Sequence, residues 1–458
     1  MLQTNLIIVV LDTVRAKNMS CYGYHRETTP YLSEFASNSI FFKNAFSPGI
    51  WTIPSHASLF TGTYPSKHGA LNLHRHLDTK LMTLAEVLSL NGYDTVSFSN
   101  NHFISVKEFG LSRGFHTSEG RVYPKNNLKR MIYKYGRCLM GSSDCGAATT
   151  NIFVKQFINQ RSRSDKPFFL FLNYMEAHAP YKNVPKKFLQ RFVSREGRRR
   201  IKTTNQDRQK YLTHSIEMTE EDFDLLRSFY DTQISYLDFR MHELLDFLKQ
   251  KGVFDHSMII ITSDHGDMIG EHCLMHHSYC IYDELIKVPI IIKLPGAANQ
   301  SRSVEDMVSL INITPSIMEL LNIKNALFSN QMQASCLPVS GGCSDNGYIF
   351  SECEWPKNEF EETYPEFDFS VYNKQYLTIR SREFKFIQSS DGRHELYDIE
   401  NDPEERINLT REKPEKVSFL HDQLNQWYSS FDKVTFQESE CPDLDEDVKS
   451  QLRALGYF

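Results

Sequence analysis

The residues of this chain that are suited to chemistry share one position. Each follows a strongly apolar segment of the kind that forms a buried strand. In an open α/β sheet the carboxyl ends of the strands meet at one edge, and ligands bind there. We therefore expect these side chains to converge although they are far apart in the sequence. They are Asp12, Thr52, His178, Asp264 and His265.

Asp12, Asp264 and His265 are predicted to bind one divalent metal ion, and the Thr52 hydroxyl would complete the ligand set. Two carboxylates and an imidazole are compatible with Mn²⁺ or Zn²⁺ and do not exclude Ca²⁺ or Mg²⁺. Such an ion lowers the pKa of a hydroxyl and neutralises the anionic oxygens of a phosphoryl or sulfuryl group. We predict that Thr52 is the nucleophile, and that His178 protonates the leaving oxygen or binds a non-bridging oxygen.

Each of these residues also has a purely structural interpretation. An aspartate at the end of a strand is more often a helix cap or a turn residue, and a lone histidine is more often a structural one. The histidines at 272, 276 and 277 are interpreted as neighbours of the site or as surface residues. The order of the candidates along the chain, together with the sequence around Thr52, favours the functional interpretation.

Apolar strands that alternate with helices predict an α/β sandwich with a mostly parallel central sheet flanked by helices. Beyond residue 345 the predicted strands are close in sequence and a helix follows, which indicates a small antiparallel α+β subdomain. We place a catalytic domain at residues 1–345 and the C-terminal subdomain at residues 346–458. Two polar, basic segments, at residues 121–145 and 187–213, are predicted to be insertions or lid elements.

The composition of the chain indicates which partners and which cellular compartment to expect. A formal net charge of −6 gives no reason to expect nucleic acid or an anionic membrane as a partner. No segment reaches the roughly 18 consecutive apolar residues of a membrane span, and residues 6–11 are interpreted as a buried strand, not a targeting peptide. Nine dispersed cysteines favour a reducing compartment, so we expect a cytoplasmic protein, with a homo-oligomer possible.

Residues 51–62 resemble the signature of the sulfatase family, in which Cys or Ser-x-Pro-Ser-Arg leads into Ala-x-Leu-Leu-Thr-Gly. In that family the Cys or Ser is oxidised to formylglycine, whose hydrate attacks sulfate esters. The resemblance continues over nearly the whole chain and implies the alkaline phosphatase superfamily fold, a divalent metal ion and a nucleophile at position 52. Its further matches are residues 11–15, 21–24, 61–65, 68–69, 178–181, 262–266, 270–272, 282–284, 288–289, 396–398, 401–403 and 454–457.

The departures from the family pattern bear on the substrate. Thr52 replaces the Cys or Ser, and oxidation of a threonine would give a ketone instead of the aldehyde, so a plain secondary hydroxyl is expected. His56 stands where the family has arginine, and Thr13 where it has a second aspartate. One family lysine is replaced by Asn100, and His277 is a candidate replacement for another. Because cationic groups are fewer, we interpret the site as turned toward phosphoryl chemistry.

These observations predict a metal-dependent ester hydrolase of the sulfatase type. It would act on phosphodiesters or phosphonate monoesters through a covalent intermediate on Thr52, which water or an acceptor alcohol releases. His56, Asn101 and His277 are predicted to bind a substrate that is a small-molecule or glycan-linked phosphate or sulfate ester. Three alternatives stay open: a sulfatase that works without formylglycine, a transferase of a phospho-alcohol onto a glycan, and a non-catalytic binding protein. The last is less favoured, because it would keep two carboxylates buried together without need.

Overall fold

The computed structural model describes residues 4–119, 144–161, 166–181, 184–277, 279–296, 301–339, 347–356, 358 and 360–434. Most of the predicted insertion at residues 121–145 and the family match at residues 454–457 lie outside these ranges. The predicted site residues all lie inside them. The structure therefore gives a position to every one.

The strands of the described residues, in chain order, are β1 (Asn5–Leu11), β2 (Ile40–Phe46), β3 (Asp94–Ser99), β4 (Thr117–Glu119), β5 (Phe168–Tyr174), β6 (Ser257–Thr262), β7 (Met268–Ile269), β8 (Met275–His276), β9 (Lys287–Lys293), β10 (Arg302–Ser309), β11 (Ile349–Cys353), β12 (Tyr376–Arg380), β13 (Phe384–Ser389) and β14 (Glu395–Asp398). Eight of them form one mixed sheet in the order β10-β2-β9-β6-β1-β5-β3-β4. Neighbouring strands are parallel except that β9 runs antiparallel to both β2 and β6. The predicted, mostly parallel sheet is confirmed.

The central strand β1 is apolar without interruption because both of its faces are covered. Leu6, Ile8 and Val10 belong to one buried cluster, and Ile7 and Val9 belong to another. Successive side chains of a strand point to opposite faces, so the two clusters lie on the two sides of the sheet. The first polar positions then fall where the strand ends.

Helices cover both faces of the sheet. The longest is a single helix of 31 residues, unbroken, whose first turn is closed by a capping box between Thr219 and Asp222. Among the described residues, no helix combines the length and apolarity that a membrane crossing requires. The helices are Pro30–Ser37, Thr52–Thr61, Pro65–His68, Leu84–Leu90, His102–Ser105, Ala147–Gln160, Lys186–Phe192, Gly197–Arg200, Arg208–Leu212, Glu220–Gln250, Asp283–Ile286, Ile313–Leu320, Ala326–Gln331 and Pro414–Ser429. Short 3-10 turns occur at Ala16–Asn18, Ser20–Tyr22, Lys107–Phe109, Glu271–Cys273, Leu310–Asn312 and Phe369–Val371.

The C-terminal strands β11 to β14 form an antiparallel sheet in sequential order, as predicted. The helix Pro414–Ser429 covers it, and Leu420 and Leu424 pack against Phe386 and Leu396 of the sheet. Residues of β11 also belong to the cluster of the large sheet. The division into domains at residue 345 stays a prediction.

A buried ion cluster joins the C-terminal sheet to the chain that enters β9. Lys385 of β13 contacts Asp283 Oδ1 at 3.0 Å and Glu405 Oε1 at 2.6 Å, and Arg380 of β12 contacts Asp283 at 2.9 Å. The side chains of Lys385 and Glu405 are fully buried. The cluster therefore depends on every charge having its partner, because a buried charge left alone is costly.

We expect Lys385→Met to lower the free energy of unfolding by about 3–5 kcal/mol, because it leaves the buried Glu405 carboxylate without its positively charged partner. Urea unfolding followed by circular dichroism measures the change. The matched control is Lys43→Met, since Lys43 pairs with Glu305 on the surface with both side chains about half exposed. That variant should lose less than about 1 kcal/mol, and equal losses in the two variants would contradict the argument.

Candidate active site

Asp12, Asp264 and His265 converge at the carboxyl edge of the large sheet, as the sequence predicted. Asp12 follows β1, and the other two follow β6, which is the parallel neighbour of β1. One ligand atom from each residue lies within 4.8 Å of the other two, and all three side chains are buried. The spacing is that of residues able to bind one metal ion.

Each of the three residues has one atom satisfied by the protein and one atom left over. Asp264 Oδ1 accepts the backbone N–H of Thr13 at 3.2 Å and of His265 at 2.9 Å, and the His265 Nδ1–H donates to Gly266 O at 2.7 Å. Within the described residues, Asp12 Oδ1, Asp264 Oδ2 and His265 Nε2 have no hydrogen-bond partner. Buried polar atoms rarely stay unpaired, so this donor set fits a divalent cation.

The electrostatics of the two carboxylates support the same conclusion. Burial and the nearby Asp12 raise the pKa of Asp264 well above its usual value. Burial also acts to raise the pKa of Asp12, but His178, His265 and the Asn101 hydrogen bond keep it below its usual value. Two buried carboxylates this close repel each other when both are ionised, and a bound cation offsets that repulsion.

Thr52 is fully buried and lies beside the carboxylates. The Asn101 side chain connects them, since its Nδ2 donates to Thr52 Oγ1 at 3.1 Å and to Asp12 Oδ2 at 3.0 Å. Thr52 is the first residue of the helix Thr52–Thr61, and Pro54 lies in its first turn. Proline is tolerated in a first helical turn because its missing N–H would have no acceptor there.

Three further buried imidazoles, those of His56, His178 and His277, lie around the candidate metal ligands. His56 Nδ1 lies 2.8 Å from Thr52 O and 3.6 Å from Asp264 Oδ2. His178 Nδ1 lies 2.6 Å from its neighbouring carbonyl, and the His277 ring centroid lies 5.4 Å from that of His178 and 4.5 Å from that of His265. Burial lowers the pKa of His56 to about 4 and that of His277 well below its usual value, so both side chains are neutral at pH 7.

The other positions singled out in the sequence have structural roles in the described residues. Thr13 adopts the left-handed region with φ of 59°, and its hydroxyl donates to the Asp12 carbonyl, so it supplies an N–H and not a side-chain ligand. Asn100 Nδ2 donates to Thr150. His272 stacks on Tyr282 with ring centroids 3.7 Å apart.

Two polar residues of the site were missed. Asn173 Nδ2 donates to Asp12 Oδ2 at 3.1 Å, and Asp267 Oδ1 lies 2.9 Å from His277 Nδ1. Asn173 carries the one amide side chain of the otherwise aliphatic and aromatic strand β5, which is a signal that could have found it. Asp267 belongs to the same short motif as Asp264, but its partner lies beyond the turn between β7 and β8.

Comparison with known proteins identifies the family. The Sulfatase family model matches residues 4–323, and the model of the N-sulphoglucosamine sulphohydrolase C-terminal region matches residues 270–430. The chain therefore belongs to the sulfatase family, and it is a hydrolase. Members of this family use a divalent metal ion.

The relatives include enzymes of two chemistries. Arylsulfatase K of Bos taurus is 24% identical over 92% of this chain and 81% of its own length. The phosphonate monoester hydrolase of Agrobacterium radiobacter has a similar structure, with a TM-score of 0.73 at 20% identity over 93% of this chain and 96% of its own. The structure of BT4656 in complex with its substrate D-glucosamine-2-N,6-O-disulfate is also similar, with a TM-score of 0.70 at 17% identity over 93% of this chain and 97% of its own. These structures confirm the predicted alkaline-phosphatase-like fold.

We expect Asp264→Asn to make the metal-free protein more stable, because it removes a buried carboxylate whose pKa is raised. The asparagine oxygen can still accept from Thr13 N and His265 N. Thermal unfolding in EDTA and in Mn²⁺ measures both effects. Wild type should gain about 2.7 kcal/mol at a Mn²⁺ concentration 100 times its Kd, whereas the variant should gain little.

Asp238→Asn is the matched control for that measurement. Asp238 is another buried acid, with its pKa raised to about 7 by burial, and its two oxygens accept the backbone N–H groups of Leu32 and Tyr31. Asparagine has one acceptor oxygen, so one of these two N–H groups loses its partner, which opposes the gain from removing a buried acid. The variant should therefore not show the gain in metal-free stability expected of Asp264→Asn, and it should keep the full Mn²⁺ response. A full response in Asp264→Asn would contradict the assignment of the ligands.

Proposed function

We propose that this chain hydrolyses phosphodiesters or phosphonate monoesters, with Thr52 as the nucleophile. The observation that carries the proposal is the bridge that Asn101 makes between Thr52 Oγ1 and Asp12 Oδ2. It holds a buried hydroxyl, which cannot be converted to formylglycine, next to three residues that fit a divalent ion. A hydroxyl in this position can attack a phosphoryl centre directly.

The charge of the site supports a substrate with a single negative charge. Asp12 and Asp264 together balance a divalent cation, and the pKa values of His56, His265 and His277 are all lowered. None of the described lysines or arginines forms an ion pair with either carboxylate. Phosphodiesters and phosphonate monoesters carry one charge, whereas phosphate monoesters carry up to two.

Asp12, Asp264 and His265 would hold the ion, which when bound would stabilise the negative charge on the phosphoryl oxygens. Asn101 orients the Thr52 hydroxyl. In the first step the Thr52 oxygen bonds to phosphorus, its proton passes to solvent, and the ester bond to the leaving alcohol breaks. A proton then completes the alcohol. His178 faces the site and is proposed either to supply that proton or to bind a non-bridging oxygen, and His56 and His277 contact the substrate.

In the second step water attacks the phosphothreonine. The water oxygen bonds to phosphorus, the bond to Thr52 breaks, and the threonine oxygen regains a proton. The second candidate function is hydrolysis of sulfate esters without formylglycine, because the family model and arylsulfatase K favour sulfuric esters. In that reaction the same hydroxyl would form a sulfothreonine.

A panel of 4-nitrophenyl esters separates the candidates. The sulfate, the phosphate, the bis-ester of phosphate and the phenylphosphonate are each tested with Mn²⁺, Zn²⁺, Ca²⁺ or EDTA. We expect the highest kcat/KM for the bis-ester or the phosphonate, and none in EDTA. A preference for the sulfate would overturn the proposal in favour of the second candidate. Transfer of the phosphoryl group to glycerol or a sugar faster than to water would make the enzyme a transferase.

Thr52→Ala should lower kcat by more than roughly 10³-fold, because it removes the hydroxyl that is proposed to attack phosphorus. Thr52→Ser is the matched variant, since it keeps the hydroxyl and the Asn101 hydrogen bond, and it should retain measurable turnover. Mass spectrometry verifies that the serine is unmodified, and elemental analysis verifies that both variants bind metal. Wild-type turnover in Thr52→Ala with metal bound would exclude this nucleophile.

A further inference from the structure

The residue that precedes the proposed nucleophile is held by the C-terminal sheet. Trp51 comes directly before Thr52 at the start of its helix, and the Trp51 side chain is buried. Its indole N–H donates to Oε1 of Glu354, the residue that follows β11. The same oxygen accepts the backbone N–H of Asn72 at 3.2 Å. Glu354 is buried as well, so its carboxylate fixes the indole inside the protein.

A ring contact connects the same indole to the segment that carries Asn101. The rings of Trp51 and Phe103 meet edge to face, with centroids 5.7 Å apart and planes at 82°. The backbone N–H of Phe103 donates to Asn101 Oδ1 at 3.1 Å. Because that oxygen is taken, the Nδ2 end of the amide is the one directed at Thr52 Oγ1 and Asp12 Oδ2. The ring contact thus joins the two segments whose residues 52 and 101 share a hydrogen bond.

The main chain that leads to the nucleophile is also fixed to β11. Ser351 Oγ donates to the carbonyl of Ser47 at 2.7 Å, and the backbone N–H of Glu352 donates to the carbonyl of Pro48 at 2.8 Å. Ser47 and Pro48 follow β2 directly and lead to Thr52. The C-terminal sheet therefore holds this stretch both by its backbone and by the indole.

The position of the Thr52 hydroxyl depends on this support. Trp51 occupies the N-cap position of the helix, where a tryptophan side chain has no oxygen that could accept from the first turn. The contacts of the indole hold the start of the helix instead. A nucleophile displaced by about 1 Å from its target can react on the order of 10²-fold more slowly.

We infer that Glu354 is a positioning residue, which through the Trp51 indole holds Thr52 Oγ1 where it can attack the phosphoryl group. This inference rests on the proposed function, since it takes Thr52 as the nucleophile. Glu354 acts on the rate of attack and takes no part in making or breaking bonds. Its loss should therefore lower the rate at saturation, while binding of the substrate and of the metal ion stays the same.

Glu354→Leu tests the inference, because it removes the acceptor oxygens and keeps a similar volume. Single-turnover release of nitrophenolate from bis(4-nitrophenyl) phosphate, with metal-loaded enzyme in excess, measures the first step. We expect its maximal rate to fall by roughly 10- to 100-fold. The enzyme concentration that gives half of that rate should stay close to the wild-type value. Glu354→Gln keeps Oε1, which accepts both N–H groups, and should restore most of the rate.

Glu352→Leu is the matched control. Glu352 is a second buried carboxylate, two residues earlier, and it accepts the backbone N–H and the hydroxyl of Ser66, each at 2.9 Å. Ser66 belongs to the helix Pro65–His68, which carries none of the residues assigned to the site. The substitution leaves the backbone N–H of residue 352 in place. This variant should lose a comparable amount of thermal stability and keep the wild-type single-turnover rate.

Trp51→Phe is the milder variant in case the leucine variants fold poorly. It keeps an aromatic ring against Phe103 and removes the N–H that Glu354 accepts, so it should lower the single-turnover rate several-fold. The double variant with Glu354→Leu should be no slower than the slower single variant, because both substitutions remove the same hydrogen bond. Thermal unfolding and metal content are measured for every variant.

The outcomes separate this inference from the function on which it rests. The positioning role is wrong if folded, metal-loaded Glu354→Leu and Trp51→Phe react at the wild-type rate, if only the half-saturating concentration changes, or if Glu352→Leu is slowed as much. Thr52 remains the nucleophile in these cases when mass spectrometry after rapid quenching finds the aryl-phosphate adduct on it. If no adduct forms on Thr52 in wild type, and Thr52→Ala remains active, the proposed function itself is wrong.

Discussion

Two carboxylates buried against each other are the constraint on which this site depends. Asp12 and Asp264 end neighbouring strands, and neither forms an ion pair with a lysine or arginine of the described residues. The protein instead satisfies one oxygen of each with hydrogen bonds and leaves the other for a cation. Side-chain amides of Asn101 and Asn173 serve Asp12, and backbone N–H groups serve Asp264. These donors are neutral, so the net charge of the cavity is set by the carboxylates and the ion.

The sheet is what makes this closeness possible. β1 lies between β5 and β6, and all three run in the same direction, so their carboxyl ends are side by side. The apolar faces of the strands are covered by two separate clusters, which fixes their register. The polar ends then have little freedom. Thr52 comes from outside this group, at the start of the helix after β2, and Asn101 connects it to Asp12.

Much of this was predictable because apolar strands and their ends are local features of the sequence. The strand that carries Asp12 was predicted at residues 6–11 and is observed at Asn5–Leu11, and the antiparallel C-terminal sheet was predicted as well. The direction of β9 was not, since an apolar run looks the same in either direction. β10 was missed because it is half exposed and has no continuous apolar run.

Within the site, sequence predicted which residues meet but not how they are oriented. Each histidine has two nitrogens, and only the fold decides which one a carbonyl or a carboxylate takes. Asn173 and Asp267 were not recognised because an amide or a carboxylate acquires its role from a partner far along the chain. Thr13 was recognised in the sequence as a replacement for the family's second aspartate. Its left-handed backbone conformation, however, could not be predicted from the sequence.

The ion cluster around Lys385 connects the C-terminal sheet to the candidate active site, although the sheet supplies no reacting group. Asp283 lies a few residues after His277, and Lys385 and Arg380 hold it from the sheet. The turn bearing His277 is thus anchored at one end by strands that contribute none of the proposed reacting groups. A protein shortened before residue 346 would retain Asp12, Asp264 and Thr52. The segment that carries His277 would, however, lose its ionic contacts with the C-terminal sheet.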